Sequence, residues 1–327
     1  MYYYIDKNQM RLDAGYYEWA YPFRQGMACV KRQSGGVCLI NRQGEIQINL
    51  PEYQEDPTDV HCGRILISKK RSPGNKGRYF GFLDTTGKEI IPPQYLSAKE
   101  FAEDVAPVQF VSGFRWTFLK KNGMQVGVPS FQDLDMIVDG LAVATINGQK
   151  LFVNSSAETV LGPFESAESF YEGVACVVHQ GVQLYINKKG KTIFVNQWDA
   201  ISAICMEGRI KFHSNERSGF LDKEGNVVVP ALYKQVGYYS EGISIVEGQH
   251  GKTGTDINGN IIFEVDCEWI GEFNDGLARF CKRGKYGYIN RQGDIVIESK
   301  FEWADDFSEG LAPVSDEGKS KSKTRQI

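Results

Sequence analysis

Three tryptophans, Trp19, Trp269 and Trp303, occupy one position in a recurring pattern, seven residues before a glycine, and each follows a glutamate, Glu18, Glu268 and Glu302. Elsewhere the same position holds Asp56, Ser97, Asp133, Ser166, Ile201 and Gln235, a mostly polar set that implies partial exposure. A large aromatic at a polar position is the residue type that stacks on a sugar, a base or a partner's side chain. The glutamates then either reinforce a binding edge or solvate it. The competing reading of the tryptophans is packing between neighbouring units.

Other residues offer less chemistry. Lys69, Lys70, Arg71, Lys76 and Arg78 form a basic stretch able to meet a phosphate or an acidic partner. It interleaves no aromatic, and the chain carries 37 basic against 41 acidic side chains, so a solvated hairpin loop is the simpler reading and nucleic acid is not an expected partner. The GKTG of residues 251–254 lacks the spacing of a phosphate loop and reads as another hairpin. Asp305 and Asp306 read as solubilising charges in a link. Seven scattered cysteines without a CxxC pair exclude a disulfide framework, and the four histidines form no local ligand pair. With no convergent nucleophile, base or metal set, no enzyme activity and no cofactor are expected.

The elements that carry these residues repeat. Aligned on the glycine of acidic-Gly-apolar-Ala, nine units follow at spacings of 33 to 41 residues: Gly26, Gly63, Asp104 in the glycine slot, Gly140, Gly173, Gly208, Gly242, Gly276 and Gly310. A second marker keeps the beat. Asn or Asp lies three residues before a turn position that is usually glycine, as in Asn41–Gly44, Asp222–Gly225 and Asn290–Gly293; only Lys120 departs. An Asx side chain bonds the backbone two residues on and glycine accepts positive φ, so N/D-x-x-G is a hairpin turn. Aromatic-aliphatic pairs precede it and alternating aliphatics follow it, for example Tyr288-Ile289, then Ile295 and Ile297. A further strand follows the EGLA glycine. The expectation is all-β, with three short strands per unit.

The unit from Lys285 to Val314, KYGYINRQGDIVIESKFEWADDFSEGLAPV, resembles the bacterial WG repeat, also called the KWG repeat. The resemblance covers residues 2 to 318 and is strongest in the last two units. The Trp-Gly of the family becomes Tyr286-Gly287, Phe80-Gly81 and Ser218-Gly219, while Trp116-Thr117 keeps the tryptophan and loses the glycine. What the resemblance implies is a β-repeat recognition scaffold without assigned catalytic residues.

The chain starts and ends inside a unit. Residues 1–318 are read as a single array, and 319–327 as a polar, disordered tail: Ser320, Ser322 and Lys323 stand where a buried strand needs Tyr286, Tyr288 and Ile289. The first reading is an open or superhelical solenoid with a decayed end unit. The alternative is a closed, propeller-like ring in which the N-terminal YYYID strand fills the vacant place. The functional expectation is a non-enzymatic scaffold for a protein partner, the alternative a carbohydrate or cell-envelope binder. No apolar run is long enough to span a bilayer and no export signal stands at the start, so the expected location is cytoplasmic.

Overall fold

The computed structural model describes residues 1–12, 15–50, 58–71, 77–247 and 251–317. The expected polar tail, 319–327, lies outside them. The described chain is all-β, and no helix in it is long and apolar enough to cross a membrane. It forms nine small antiparallel sheets of the propeller type, the blades, numbered here 1 to 9 in chain order. Blade 8 shows the pattern, with Trp269–Asn274, Leu277–Lys282, Lys285–Asn290 and Ile295–Phe301 side by side.

Two expectations need correction. Seven of the nine sheets have four strands, not three, because the inter-unit link supplies a short first strand such as Ser166–Ala167 or Trp303–Ala304. A two-residue strand leaves no alternation long enough to read from sequence. The open solenoid gives way to closure. Blade 9 takes Trp303–Ala304 and Leu311–Ser315 from the end of the repeats and Tyr3–Asp6 from the start, with Tyr4 opposite Pro313 and Ile5 opposite Ala312. Tyr4 and Ile5 are fully buried there, which is why such an apolar terminus pairs instead of fraying.

Contacts divide the chain into two compact units, Met1–Asp59 with Tyr233–Ile327, and Val60–Leu232. The first holds blades 7, 8, 9 and 1; the second holds blades 2 to 6. Inside each, the same devices join successive blades. The Asx turns form as the sequence requires: Asn290 Oδ1 accepts the N–H groups of Gln292 and Asp294 at 3.0 and 2.9 Å. In blade 3, where Lys120 lacks the acceptor, Asn122 Oδ1 takes the Met124 N–H instead.

The glycine of the Trp-Gly dipeptide has a steric cause. A Cβ on Gly81, Gly219 or Gly287 would lie 2.4, 2.3 or 2.4 Å from the carbonyl oxygen of Ile91, Val229 or Ile297 on the facing strand. In blades 2 and 8 the ladder shifts register at this point, so the partner backbone bulges into the space a side chain would fill.

Two residues before the hairpin turn ends its strand, a buried aromatic meets the aromatic of the next blade's F-x-E-G segment. Tyr288 meets Phe307 at 4.7 Å, Tyr4 meets Phe23 at 5.0 Å, and Phe152 meets Phe170 at 4.7 Å between ring centroids. Where this residue is tyrosine, its hydroxyl donates to a backbone carbonyl of the next blade: Tyr288 to Asp305 (2.7 Å), Tyr4 to Tyr21 (2.6 Å), Tyr185 to Ser202 (3.0 Å).

The acid before the repeat glycine makes the third joint. It sits at positive φ, with a positive-φ glycine after it except at Glu103, which Asp104 follows, and this tight turn sends its carboxylate to the glycine N–H of the following blade. Glu103 receives Gly140 at 3.1 Å, Asp139 receives Gly173 at 2.5 Å, and Glu172 receives Glu207 and Gly208 at 2.7 and 2.8 Å. In the other unit Glu241 receives Gly276, Asp275 receives Gly310 at 2.6 Å, and Glu309 receives Gly26 at 2.9 Å, the last across the closure. A lysine following the Asx residue adds a charge to several of these joints: Lys223 reaches Glu172 at 3.1 Å, Lys7 reaches Asp275 at 3.1 Å, and Lys188 pairs with Asp139.

Two expected outcomes follow from the joints. Tyr4→Phe removes only the hydroxyl bond and should cost about 1 kcal/mol, whereas Tyr4→Ala should cost about 3–5 kcal/mol; denaturant titration of a Tyr4→Ala protein with unchanged midpoint would disprove the closure. At Glu172, partial burial raises the carboxyl pKa, but the Gly208 N–H and Lys223 outweigh it and hold the group below its usual value. A depressed carboxyl stabilises above its unfolded pKa, about 4.3, and loses that contribution as pH falls through the folded value. Glu172→Gln should therefore melt earlier at pH 7, by about 1 kcal/mol after screening of a partly exposed group, and the gap from the parent should close towards pH 3. A gap independent of pH would show that charge plays no part.

Candidate functional site

The three tryptophans reach two different settings within the unit that holds blades 7, 8, 9 and 1. Trp19, in the strand Tyr17–Ala20 of blade 1, and Trp303, in blade 9, both lean on the apolar cluster that includes Tyr2, Tyr4, Tyr17 and Phe23. Trp303 meets the Tyr2 ring edge-on at 4.9 Å, and Trp19 meets Tyr21 at 5.5 Å. Trp269, in blade 8, is 42% exposed.

Each glutamate has a local partner. Glu18 pairs with Lys31 at 2.6 Å, and Glu302 pairs with Lys285. Glu268 caps the hairpin turn of its own blade, accepting the N–H groups of Arg283 and Gly284 at 2.7 and 3.3 Å, as Glu165 does for Gly181 at 3.1 Å. The Cys281 thiol also donates to Glu268, and that bond, with the two N–H groups, holds the carboxyl below its usual pKa.

The basic stretch is partly spent on its own hairpin. Arg78 donates to Ser68 Oγ and O at 2.8 and 3.0 Å, and the Arg71 guanidinium lies 4.9 Å from the Tyr79 ring centre; Lys76 lies outside the described residues. GKTG opens the strand Lys252–Thr255, ahead of the Asp256 turn, as read from sequence. Among the described residues, no three His, Cys, Asp or Glu side chains gather as metal ligands.

Trp269 borders a groove of about 400 Å³ between blades 7 and 8. Its cause is a pair of missing side chains. Five residues before the repeat glycine, other blades carry Tyr21, Thr58, Lys99, Asp135, Glu168 or Asp305, with the small Ala203 in blade 6; between blades 3 and 4 these side chains cover the junction, Lys99 pairing with Asp135. Blades 7 and 8 carry Gly237 and Gly271 there, and both line the groove. The indole lies close over Gly271, where a Cβ would come within 2.8 Å of Trp269 Cη2. The ladder of blade 8 also skips register between Ile270 and Phe273, so Gly271 and Glu272 fall in a bulge facing the cavity.

The polar wall of the groove is Arg279 with Asp306. Arg279 Nε donates to Asp306 at 2.7 Å, its Nη1 donates to the Ala304 carbonyl at 2.6 Å and lies 3.6 Å from Asp305. The guanidinium stands 5.4 Å from the Trp269 ring centre, within cation–π range. The two aspartates, read from sequence as solubilising charges, therefore fix an arginine. Sequence reasoning missed Arg279, Gly237 and Gly271. The available signal was positional: Arg279 stands where most units place an apolar residue such as Cys29, Val143 or Ile245, only blade 6 having another base, Lys211, and two consecutive glycines of the repeat register replace side chains.

Truncation separates the two settings. Trp303→Ala should cost about 2–3 kcal/mol, because the ring is packed on a core cluster, whereas Trp269→Ala should cost less than about 1 kcal/mol. Thermal melts of equal depression in both variants would place Trp269 in the core.

The repeat described as WG containing repeat matches residues 4–34, 80–110, 219–252, 256–286 and 286–319. The matches include Gly81, Gly219 and Gly287 or the segments around them. Among solved structures, one described as the crystal structure of the eukaryotic initiation factor is similar over 90% of this chain and 94% of its own, with a TM-score of 0.64 and 11% identity. BamB from Moraxella catarrhalis is similar over 93% of this chain and 97% of its own, with a TM-score of 0.40 and 11% identity. At such identity the first likeness is one of fold. No curated protein matches the sequence significantly.

Proposed function

From the premise that this chain belongs to the family of WG-containing repeat proteins, we propose that it is a non-catalytic scaffold that binds a protein partner along the outward strands of blades 7, 8 and 1. The observation that carries this reading is a row of exposed aliphatic side chains in one repeat register. Five residues after the Asx position, Ile261, Ile295 and Ile46 are 60, 44 and 43% exposed, and Ile262 and Val296 widen the row. These residues open the last strand of each sheet, Ile261–Val265, Ile295–Phe301 and Ile46–Asn49, which has a free edge. Aliphatic side chains on an unpaired edge favour association with another chain. The partner is expected to present an aliphatic surface or an extended strand.

The chemistry of the thiols supports a non-enzymatic reading. Burial pushes the Cys205 thiol up to about 12, with Glu172 adding to the effect, and burial pushes Cys267 up to about 11. Such groups stay protonated at neutral pH and make poor nucleophiles. Seven free cysteines also favour a reducing compartment, in keeping with a cytoplasmic scaffold.

The test is the double variant Ile261→Lys/Ile295→Lys. The positions are exposed, so the melting midpoint should stay within a few degrees, while proteins cross-linked to the parent chain in cell extract should fall at least tenfold. An unchanged cross-linked set removes these strands as the interaction surface.

A further inference from the structure

The groove between blades 7 and 8 has the chemistry of a small-ligand site, and its assignment does not rest on the scaffold reading. We propose that it binds a neutral pyranoside, with the sugar ring stacked on Trp269 and adjacent hydroxyls held by the Arg279–Asp306 pair.

The site is built, not left over. Between blades 3 and 4 Lys99 and Asp135 close the corresponding junction, and here Gly237 and Gly271 carry no side chain at those positions. The space, about 400 Å³, lies within the range of small-molecule sites, about 300–1,000 Å³. Its apolar part is a partly exposed indole flanked by Ile270 and Val236. The C–H face of a pyranose is an apolar surface of the kind that stacks on an indole.

Its polar part is equally specific. Arg279 and Asp306 are planar groups joined at 2.7 Å, and Arg279 is further held by the Ala304 carbonyl and flanked by Asp305. Both partners remain partly exposed, with donors and acceptors side by side in fixed geometry. Vicinal hydroxyls, each a donor and an acceptor, satisfy such a pair without breaking it. An apolar anchor from a polypeptide would instead bury the ion pair without replacing its lost water, which is costly.

Charge selects among sugars. The ionisable lining is Glu247, Glu272 and Asp306 against Lys252 and Arg279, three acids to two bases, and Asp305 adds a further acid beside the arginine. A uronic acid would therefore meet net repulsion.

Two variants and one titration test the assignment. Gly237→Lys/Gly271→Asp introduces the residue pair that closes the junction between blades 3 and 4. Neither glycine has the left-handed φ that would forbid a side chain, although the Gly237 Cβ would sit a tight 3.2 Å from the Ile245 carbonyl oxygen and the Gly271 Cβ, 2.8 Å from Trp269 Cη2, would push the indole aside. This variant therefore removes groove and platform together, and Trp269→Ala isolates the stacking. Trp269→Ala removes the stacking platform. Saturation-transfer NMR and calorimetry with glucose, N-acetylglucosamine, their β-1,4-linked disaccharides and glucuronate should show binding of at least one neutral sugar to the parent protein and at least tenfold weaker binding of glucuronate. Affinity should fall at least tenfold in Trp269→Ala, and no binding should remain in the double variant. The proposal is overturned if no neutral sugar binds the parent, if glucuronate binds as well as the neutral sugars, or if binding survives Trp269→Ala unchanged. It is also overturned if groove closure releases a protein partner from a parent chain that binds no sugar. Loss of the cross-linked partner in Ile261→Lys/Ile295→Lys leaves this assignment untouched, so the two readings stand or fall separately.

Discussion

A carboxylate received by a backbone N–H of the next blade is the interaction on which the repeat depends. A four-stranded sheet of this length cannot bury both faces alone, so each blade needs its neighbour. Aromatic pairs such as Tyr288–Phe307 supply the apolar contact but permit sliding. The bond from Gly310 to Asp275, or from Gly26 to Glu309, fixes the position along the strands, because a short side chain reaches only the backbone N–H groups of one turn. The acid's own positive φ aims it at the next blade, as at Glu103, where Asp104 stands in place of the glycine. Removing the acid leaves the hairpin but releases its grip on the next.

The repeat also explains which departures it tolerates. Glycine in the Trp-Gly dipeptide answers a carbonyl oxygen from a bulged strand, whereas the aromatic before it answers only a demand for bulk. Tyr286, Phe80 and Ser218 exchange at the first place beside Gly287, Gly81 and Gly219, while in blade 3 Thr117 replaces the glycine and its hydroxyl donates to the facing Val126 carbonyl. Tyrosine and phenylalanine alternate in the inter-blade pair for a related reason. The ring fills the junction, and the hydroxyl of Tyr4, Tyr185 or Tyr288 adds a bond to a backbone carbonyl of the next blade.

Much of this was legible in the amino-acid order. The Asx turns, the all-β class and the nine units follow from spacing alone, since hairpin geometry depends on a few residues in a fixed local order. The short strand of each link was not legible, because two residues cannot display a period. Closure was legible only as a choice: the apolar YYYI segment needed a partner, but pairing between Ile5 and Ala312 is a long-range event that local patterns do not encode. The tryptophan position marked a site and overstated its uniformity. Trp19 and Trp303 share a register with Trp269 but not an environment, and what distinguishes Trp269 is the absence of side chains at Gly237 and Gly271.

Blade 9, assembled from both ends of the repeats, sets a timetable for synthesis. Tyr3–Asp6 is made before the other described strands, yet its partner Leu311–Ser315 follows some 300 residues later. At about 5–20 residues per second, this apolar strand waits roughly 15–60 s without its hydrogen-bonding neighbour. During that interval the middle blades can form in succession, each on the one before it, while the first strand is a free edge in search of a sheet. Capture of one chain's unpaired Tyr3–Asp6 strand by another chain's Leu311–Ser315 is the hazard that such a closure carries, and it grows with protein concentration.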